Sequence, residues 1–313
     1  MNPRLEKDGP AGPSSTRRAF LSTTALAGLS LSADSLSAAG KPLKNPICVF
    51  NKPIQHLGYR EQAELVAELG FDGIEGTVRK GGHVEPEKVE KDLPRQIKAL
   101  REHGLEMTIM TTDIDSADSE VHRRVLETAA SLGVKRFRMG GIRYSADKPL
   151  PAQLDTIKNT FADLAAFCAP LDLQPLYQVH SGAYRFGAGI WDLHSVLSQI
   201  DDGNPGVAYD IRHATVEGGL SWPTEFDLMR PFFGAVYCKD FVWNDSDGRP
   251  ENVPLGTGRV DYPRFFTMLK KSGYEGAISL HMEYMDHRDP SLLQDAIAAI
   301  RKDRETLHEL MQG

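Results

Sequence analysis

The sequence predicts an α/β protein folded as a single-domain (β/α)8 TIM barrel, and three observations lead to that prediction. From residue 46 onward, short apolar runs alternate eight times with segments of helical periodicity. The eight units occupy about 265 residues, which is the length expected of such a barrel. No GxGxxG motif follows the first apolar run, which disfavours the alternative of an open, doubly wound sheet.

The predicted strands are short and rich in apolar residues. In order they are ICVF (47–50), DGIEG (72–76), LEMTIM (105–110), VKRFRM (134–139), LQPLYQV (173–179), GVAYD (206–210), GAVYCKD (234–240) and GAISLH (276–281). Between them, apolar residues recur at spacings of three and four, as in Leu154, Ile157, Phe161 and Leu164. Glycine follows several of these stripes, for example in ELGFDG and KSGYEG, where a left-handed residue ends a helix. Residues 45–313 are therefore predicted to form one barrel domain.

The first 39 residues differ in composition from the rest of the chain. The pair Arg17-Arg18 precedes a weakly apolar run of Ala, Leu, Ser and Thr, and the small residue Ala39 suits cleavage. Residues 1–39 resemble a twin-arginine export signal, so we expect a periplasmic or otherwise exported protein. No later stretch approaches the roughly 20 apolar residues that a membrane-spanning helix needs. We therefore expect no membrane partner.

Charge and cysteine usage exclude further classes of function. The formal net charge is −7, which disfavours binding to nucleic acid or to anionic lipid. The three cysteines, Cys48, Cys168 and Cys238, are widely spaced and stand in apolar runs. That pattern indicates small core residues rather than a disulfide framework or a zinc cluster.

Titratable or amide side chains close six of the eight predicted strands. They are Glu75, Arg138, Gln178 with His180, Asp210 with His213, Lys239 with Asp240, and His281 with Glu283. Active sites of TIM barrels lie at the C-terminal ends of the strands, so we expect these side chains to converge on one mouth. Any one of them can instead cap a helix or bind a loop amide, but six such ends favour a functional site.

Several segments resemble the xylose isomerase-like barrel superfamily, which includes sugar isomerases, sugar epimerases and endonuclease IV-type repair enzymes. They are GFDGIEGTVRKGGHVEPEKVEKDLP, YQVHSG, AYDIRHATVEGG, YCKDF and ISLHMEY. The resemblance covers about residues 45–311. Its distinctive part is the order Glu, His, Asp-x-x-His, Lys-Asp, Glu at successive strand ends. An endonuclease is disfavoured by the acidic charge and the export signal.

The resemblance implies a divalent metal, often manganese or magnesium, held by Glu, Asp, His and Glu after the fifth to eighth strands. Asp210 matches this pattern, whereas Gln178, Tyr237 and His281 stand at the other three positions. A phenol is a poor ligand near neutral pH, but an amide oxygen and an imidazole suit a transition metal. We predict a reshaped site for a divalent metal (Mn, Mg or Zn) formed by Gln178, Asp210 and His281. A metal-free pocket held by hydrogen bonds is the alternative.

The resemblance also implies a reaction that begins with removal of a proton next to a carbonyl. Glu75, His180 and Glu283 are the predicted bases, and Lys239 the predicted partner of the enediolate oxygen. The predicted substrate-binding residues are Arg138, His213, Asp240 and Trp191. Trp191 and a further tryptophan, Trp222, can equally be residues of the core.

The predicted ligand is a small-molecule carbohydrate. Export disfavours a phosphorylated sugar, so we expect a neutral carbohydrate, a keto sugar or a glycoside. Isomerisation, epimerisation and elimination begin with the same proton, and the sequence does not separate them. A glycoside hydrolase or lyase with Glu75 and Glu283 as paired carboxylates, and a non-catalytic sugar-binding barrel, remain as alternatives. The sequence is also compatible with a homo-oligomer.

Overall fold

A computed structural model describes residues 43–200 and 205–313 of the chain. Its strands are β1 (Ile47–Phe50), β2 (Gly73–Thr77), β3 (Glu106–Thr111), β4 (Arg136–Arg138), β5 (Gln174–Gln178), β6 (Gly206–Asp210), β7 (Phe233–Cys238), β8 (Asp240–Trp243), β9 (Pro250–Val253) and β10 (Ala277–Leu280). Strands β1 to β7 and β10 are parallel and form a closed barrel, in which β1 pairs with β10. The predicted (β/α)8 barrel is confirmed. The predicted export signal, residues 1–39, lies outside the described residues.

Helices separate the barrel strands along the chain. They are α1 (Tyr59–Glu68), α2 (Val89–Glu102), α3 (Glu120–Ser131), α4 (Leu150–Cys168), α5 (Trp191–Leu197), α6 (Ile211–Gly218), α7 (Trp222–Met229), α8 (Tyr262–Ser272) and α9 (Leu293–Gln312). Both α6 and α7 lie between β6 and β7. Within the described ranges, no helix combines the length and the apolar character that crossing a bilayer requires.

The barrel strands are buried on both faces, which explains why they read as continuous apolar runs in the sequence. Alternate side chains point into the barrel, where Cys48, Ile109, Leu176, Ala208, Ala235, Tyr237 and Ala277 form a compact cluster. The other side chains pack against the surrounding helices in a second, larger cluster. Cys48, Cys168 and Cys238 are free and buried, as the sequence indicates.

The sequence analysis did not predict the hairpin of β8 and β9, which follows β7. Asp240, the first residue of β8, accepts hydrogen bonds from the backbone amides of Phe241 (2.9 Å), Val260 (3.1 Å), Gly256 (3.0 Å) and Gly258 (2.9 Å). A side chain at Gly258 would collide with the Asp240 carboxylate, so the close approach of this loop requires glycine. Asp240 therefore fixes the loop after β9, and its role in substrate binding stays a prediction.

Candidate active site

A cavity of about 250 Å³ opens at the C-terminal ends of the barrel strands. Five of the predicted site residues line this mouth cavity: Arg138, Gln178, His180, Lys239 and Glu283. They come from four different strand ends, β4, β5, β7 and β10, which together with β6 are consecutive around the barrel. The strand-end pattern thus places several chemically active groups in one small space.

Lys239 lies at the centre of the charged groups of the mouth cavity. Its Nζ is 2.8 Å from Glu283 Oε2 and 3.1 Å from Asp210 Oδ2, and its side chain is only 5% exposed. Burial lowers the pKa of Lys239, but Asp210 and then Glu283 outweigh that effect and raise it. Burial likewise opposes ionisation of Glu283, yet Lys239 holds the pKa of this carboxyl well below its usual range. Both groups are therefore charged at neutral pH.

A chain of hydrogen bonds leads from Lys239 to Arg138. Asp210 is fully buried and accepts from Gln178 Nε2 at 2.8 Å; it also caps α6 by accepting from the backbone amide of His213 at 3.2 Å. The oxygen of the Gln178 amide accepts from Arg138 Nη1 at 2.7 Å. Both ends of the amide are thus engaged, which holds Gln178 in one orientation.

The residues at the predicted metal site do not fit a divalent ion. The ammonium of Lys239 lies against Asp210, in the place where a cation bound by that carboxylate would have to lie. An ammonium has three donors and no lone pair, so it competes with a metal instead of binding one. In the ranges that the structure describes, no group of three or more His, Cys, Asp or Glu side chains is arranged to hold a metal. The predicted site of Gln178, Asp210 and His281 is therefore not formed.

Glu75 and His281 form a buried ion pair below the mouth cavity. Oε2 of Glu75 lies 2.8 Å from His281 Nε2 and also accepts from Ser279 Oγ at 2.7 Å. Burial raises the pKa of Glu75, but the charge of His281 and its hydrogen bond outweigh burial and lower the pKa to about 2. The pKa of His281 is raised, because Glu75 overcomes the effect of burial. The pair is thus an imidazolium and a carboxylate.

Glu75, which was predicted to be a catalytic base, lies beneath the mouth cavity and does not line it. Glu75 is 0% exposed, and the ring of His281 stacks at 4.6 Å on Phe50 and lies 4.3 Å from the ring of Tyr237. Neither Glu75 nor His281 lines the mouth cavity. On the cavity side, His281 Nδ1 lies 3.7 Å from Glu283 Oε2. The pair therefore supports Glu283 from below the mouth cavity.

Glu75→Gln should lower the free energy of unfolding by about 3–5 kcal/mol, because it breaks a buried ion pair and leaves His281 buried without its counter-charge, so that burial drives the imidazole to lose its proton. Urea denaturation at pH 7 measures this change, and Glu64→Gln, at a half-exposed position, is the control expected to stay within about 0.5 kcal/mol. The contribution of Glu75 in the wild type should be lost as the pH falls from 4.5, its ordinary pKa, towards about 2. Equal stability of Glu75→Gln and wild type would contradict the ion pair.

His180 presents an unprotonated nitrogen to the mouth cavity. Its Nδ1 lies 2.9 Å from the carbonyl oxygen of Ser181, so Nδ1 is the donor and Nε2 keeps its lone pair. Nε2 makes no hydrogen bond to any residue that the structure describes. Burial, and then the charge of Lys239, lower the pKa of His180 to about 4. The imidazole is therefore neutral near pH 7, in a fixed tautomer, as a general base requires.

His213 lies behind His180 and does not reach the mouth cavity. The two rings stack with their centres 3.9 Å apart, and His213 is 4% exposed. Its Nδ1 lies 3.0 Å from Arg212 Nη1, which can only donate, so the proton of His213 is on Nε2. That Nε2 is 3.7 Å from Asp210 Oδ2. The ring of His213 thus supports His180 from behind, and its role in substrate binding stays a prediction.

Two tryptophans also lie away from the mouth cavity. Trp191 begins α5, is 57% exposed and does not line the cavity, and its contact with substrate stays a prediction. Trp222 is buried at the start of α7, with the guanidinium of Arg264 5.6 Å from its ring. It is a core residue, the second of the two roles that the sequence left open.

The sequence analysis missed three basic residues that line the mouth cavity. Lys52 follows β1, Arg79 follows β2, and Arg185 lies in the loop between β5 and α5. Nζ of Lys52 is 3.1 Å from Glu283 Oε1. Lys52 and Arg79 stand only two residues beyond their strands. Extending the inspection of strand ends by two residues would have found both.

A comparison with protein families identifies the group to which this barrel belongs. The model of the family described as xylose isomerase-like TIM barrel matches residues 63–304. The chain belongs to this family. Among curated members of similar sequence, ketose 3-epimerase from Arthrobacter globiformis is 25% identical over 242 residues, which cover 71% of this chain and 76% of that protein. The family predicted from the strand-end motifs is confirmed.

Solved structures of xylose isomerase-like proteins share the fold. D-Allulose 3-epimerase from Methylomonas sp. has a TM-score of 0.64 at 18% identity, covering 86% of this chain and 99% of the other. A xylose isomerase-like TIM barrel protein from Mycobacterium smegmatis, solved in complex with magnesium, has a TM-score of 0.64 at 15% identity, covering 86% and 97%. At these identities the likeness shows the fold alone.

Proposed function

We propose that the protein is a sugar isomerase- or epimerase-like enzyme that moves a proton next to a carbonyl, with Lys239 in place of a divalent metal. The observation that carries this proposal is the position of the Lys239 ammonium, held between Asp210 and Glu283 beside a neutral His180. A cation and a base in one small cavity are the two groups that enolisation needs. Sequence similarity to a ketose 3-epimerase agrees with this chemistry.

The reaction follows from the charges of these groups. Lys239 donates a hydrogen bond to the carbonyl oxygen of the sugar, and His180 Nε2 takes the proton from the adjacent carbon. The electrons of that C–H bond form the double bond of an enediolate, whose negative oxygen stays on the ammonium. His180, now an imidazolium, returns the proton to the former carbonyl carbon, while the hydroxyl proton of the first carbon passes to the former carbonyl oxygen, which gives the isomer. In an epimerisation the proton must instead reach the opposite face of the first carbon. Glu283 holds Lys239 in place through the 2.8 Å contact.

The paired-carboxylate alternative disagrees with the electrostatics of the site. A glycoside hydrolase needs one carboxylic acid whose pKa is raised, so that it protonates the leaving group. Here, in spite of burial, His281 lowers the pKa of Glu75 and Lys239 lowers that of Glu283, so both are carboxylates. Glu75 is also buried beneath His281. We therefore favour proton transfer over glycoside hydrolysis.

The purified protein should contain no stoichiometric divalent metal, because the Lys239 ammonium competes for the same carboxylate. We expect fewer than about 0.1 manganese, magnesium or zinc ions per chain after dialysis, measured by elemental analysis, and unchanged activity in EDTA. Lys239→Ala removes the competing charge and is the matched variant for the same measurement. One tightly bound ion per wild-type chain, with activity lost in EDTA, would contradict the role of Lys239.

We also propose, from the sequence, that residues 1–39 direct export through the twin-arginine pathway. Changing Arg17→Lys and Arg18→Lys together should leave a folded, uncleaved precursor in the cytoplasm, because the arginine pair is what this pathway recognises. Cell fractionation followed by immunoblotting measures the distribution, with Arg4→Lys as the control that should be exported normally. Normal export of the double variant would show that the signal is of another kind.

A further inference from the structure

The mouth cavity contains three arginines that reach it from different strands and loops. Arg79 follows β2, Arg138 ends β4, and Arg185 lies between β5 and α5. Together with Lys52 and Lys239, they make five basic lining residues, whereas only Asp113 and Glu283 are acidic. The cavity is thus strongly cationic, although the whole chain carries a net charge of −7.

Carboxylates compensate the lysines of the cavity. Glu283 contacts both Lys52 and Lys239, and Asp210 contacts Lys239 as well. Glu75, whose pKa the charge of Arg138 also lowers, is already paired with His281. Each of these acids thus has a closer partner than the arginines.

The arginines lack comparable partners. Arg138 donates to the neutral amide of Gln178, and the closest approach of Arg79 to Asp113 is 4.0 Å, with the Asp113 side chain 64% exposed. In the described part of the chain, the guanidinium of Arg185 makes no hydrogen bond and no salt bridge. Three guanidinium groups thus share one small cavity in which Asp113 is only loosely placed and Glu283 is paired with Lys52 and Lys239.

Such an arrangement opposes stability while the cavity holds no ligand. The pKa of Arg79 is lowered by burial and, next in size, by the charge of Arg138. The pKa of Arg185 is lowered by burial and, next in size, by the charge of Arg143. Like charges brought together in a partly buried space repel each other and lose hydration. Charges that are kept at an active site in spite of this cost indicate a functional role. An anionic ligand would supply the missing counter-charge.

We propose that the substrate is an acidic keto sugar whose carboxylate binds Arg79 and Arg185, while its carbonyl oxygen binds Lys239. This assignment rests on the proposed function and specifies its substrate class. The planar guanidinium group donates two parallel hydrogen bonds to a carboxylate, which a lysine cannot do. A cavity of about 250 Å³ is at the small end of ligand pockets, so it suits a monosaccharide acid better than an oligosaccharide.

This substrate class departs from the neutral sugar expected from the sequence. That expectation relied on the export signal. It did not consider arginines beyond the strand ends. A phosphate ester shares the oxyanion chemistry of a carboxylate, so the test has to compare the two.

Calorimetric titration of the purified protein with matched sugars tests the proposal. The probes are D-fructose, 5-keto-D-gluconate and D-fructose 6-phosphate, together with the hexose and uronate pairs of glucose, galactose and mannose. We expect at least one acid to bind about 10–100-fold more tightly than its neutral counterpart, as charged hydrogen bonds allow. The double variant Arg79→Gln/Arg185→Gln should lose this preference, and Arg60→Gln, at an exposed position on α1, should keep it.

Each other result would overturn the assignment. Equal affinity for acid and neutral sugar, no binding of any acid, or an unchanged preference in the double variant would each show that the arginines do not bind a substrate carboxylate. Tighter binding of fructose 6-phosphate than of every carboxylate, lost in the double variant, would assign the site to a phosphate ester instead. Because these titrations measure binding without turnover, a bound acid that exchanges no proton would contradict the proposed function alone.

Thermal denaturation distinguishes binding from a structural role of the arginines. Removing two charges that Arg138 repels should leave the melting temperature of the double variant equal to or above that of the wild type. A melting temperature lower by several degrees would mean that the arginines stabilise the fold, and would overturn the proposal.

Discussion

Replacing Lys239 by methionine should lower the rate of proton exchange next to the carbonyl by about 10²–10³-fold, the usual effect of removing one group that stabilises a developing oxyanion. Methionine has nearly the length of lysine but no charge, so the enediolate oxygen loses its only direct cation in the proposed reaction. The measurement is kcat for loss of the carbon-bound proton in deuterated buffer, followed by NMR.

Lys52→Met is the matched control for this variant. Lys52 also contacts Glu283, at 3.1 Å, but it makes no contact with Asp210. Its removal should change kcat by less than about tenfold. Because Lys239→Met leaves Asp210 buried without a cation, its melting curve has to be recorded, and Lys239→Arg, which keeps the charge, provides a second variant. Full activity in folded Lys239→Met would contradict the role given to the ammonium.

His180→Asn should lower the same rate by about 10²–10⁴-fold, the usual contribution of a positioned general base. The amide nitrogen of asparagine can replace Nδ1 as the donor to the Ser181 carbonyl, so the loop keeps its hydrogen bond while the lone pair of Nε2 is lost. Melting temperature should therefore change little. His308→Asn, at an exposed position on α9, is the control.

The outcome of His180→Asn separates two candidate bases. Unchanged exchange in this variant would shift the role of base to Glu283, a carboxylate that also lines the mouth cavity. Glu283→Gln would then be the variant that abolishes exchange. In the present assignment Glu283 positions Lys239, so Glu283→Gln should have the smaller effect of the two.

The fold could be predicted because its strands and helices repeat with a regular period. Eight apolar runs, each followed by a helical stripe, predict a closed barrel without further information. The hairpin of β8 and β9 breaks this regularity inside one loop, and its strands are only four residues long. Its sequence, DFVWNDSDGRPENV, carries no long apolar pattern to distinguish it from a loop.

The candidate site was predictable in outline, because parallel strands of a barrel end at the same rim. The sequence does not show whether each of these side chains lies in the mouth cavity or beneath it. Glu75 and His281 lie beneath the cavity and His180 lies in it, yet all three stand at a strand end or directly after it in the sequence. Depth depends on strand stagger and on the packing of rings such as Phe50, which no local pattern encodes.

The sequence also does not reveal which charged groups meet at the predicted metal site. The sequence indicated altered ligands at Gln178 and His281, but not that the lysine next to β7 would point at Asp210. Only the folded structure shows that an ammonium and a carboxylate already neutralise each other at 3.1 Å. Arg79 and Arg185 were missed for another reason, since loop residues reach the mouth from beyond the strand ends.

The most direct test of the proposed function is deuterium exchange at the carbon next to the carbonyl, in D₂O with EDTA, across neutral, carboxylated and phosphorylated keto sugars. The account predicts that the metal-free wild type exchanges this proton in at least one keto sugar, and that Lys239→Met and His180→Asn do so at least about a hundredfold more slowly. If the wild type exchanges no proton in any of these sugars, with or without added metal, the protein is not an enzyme of this kind, and a non-catalytic sugar-binding barrel becomes the better description.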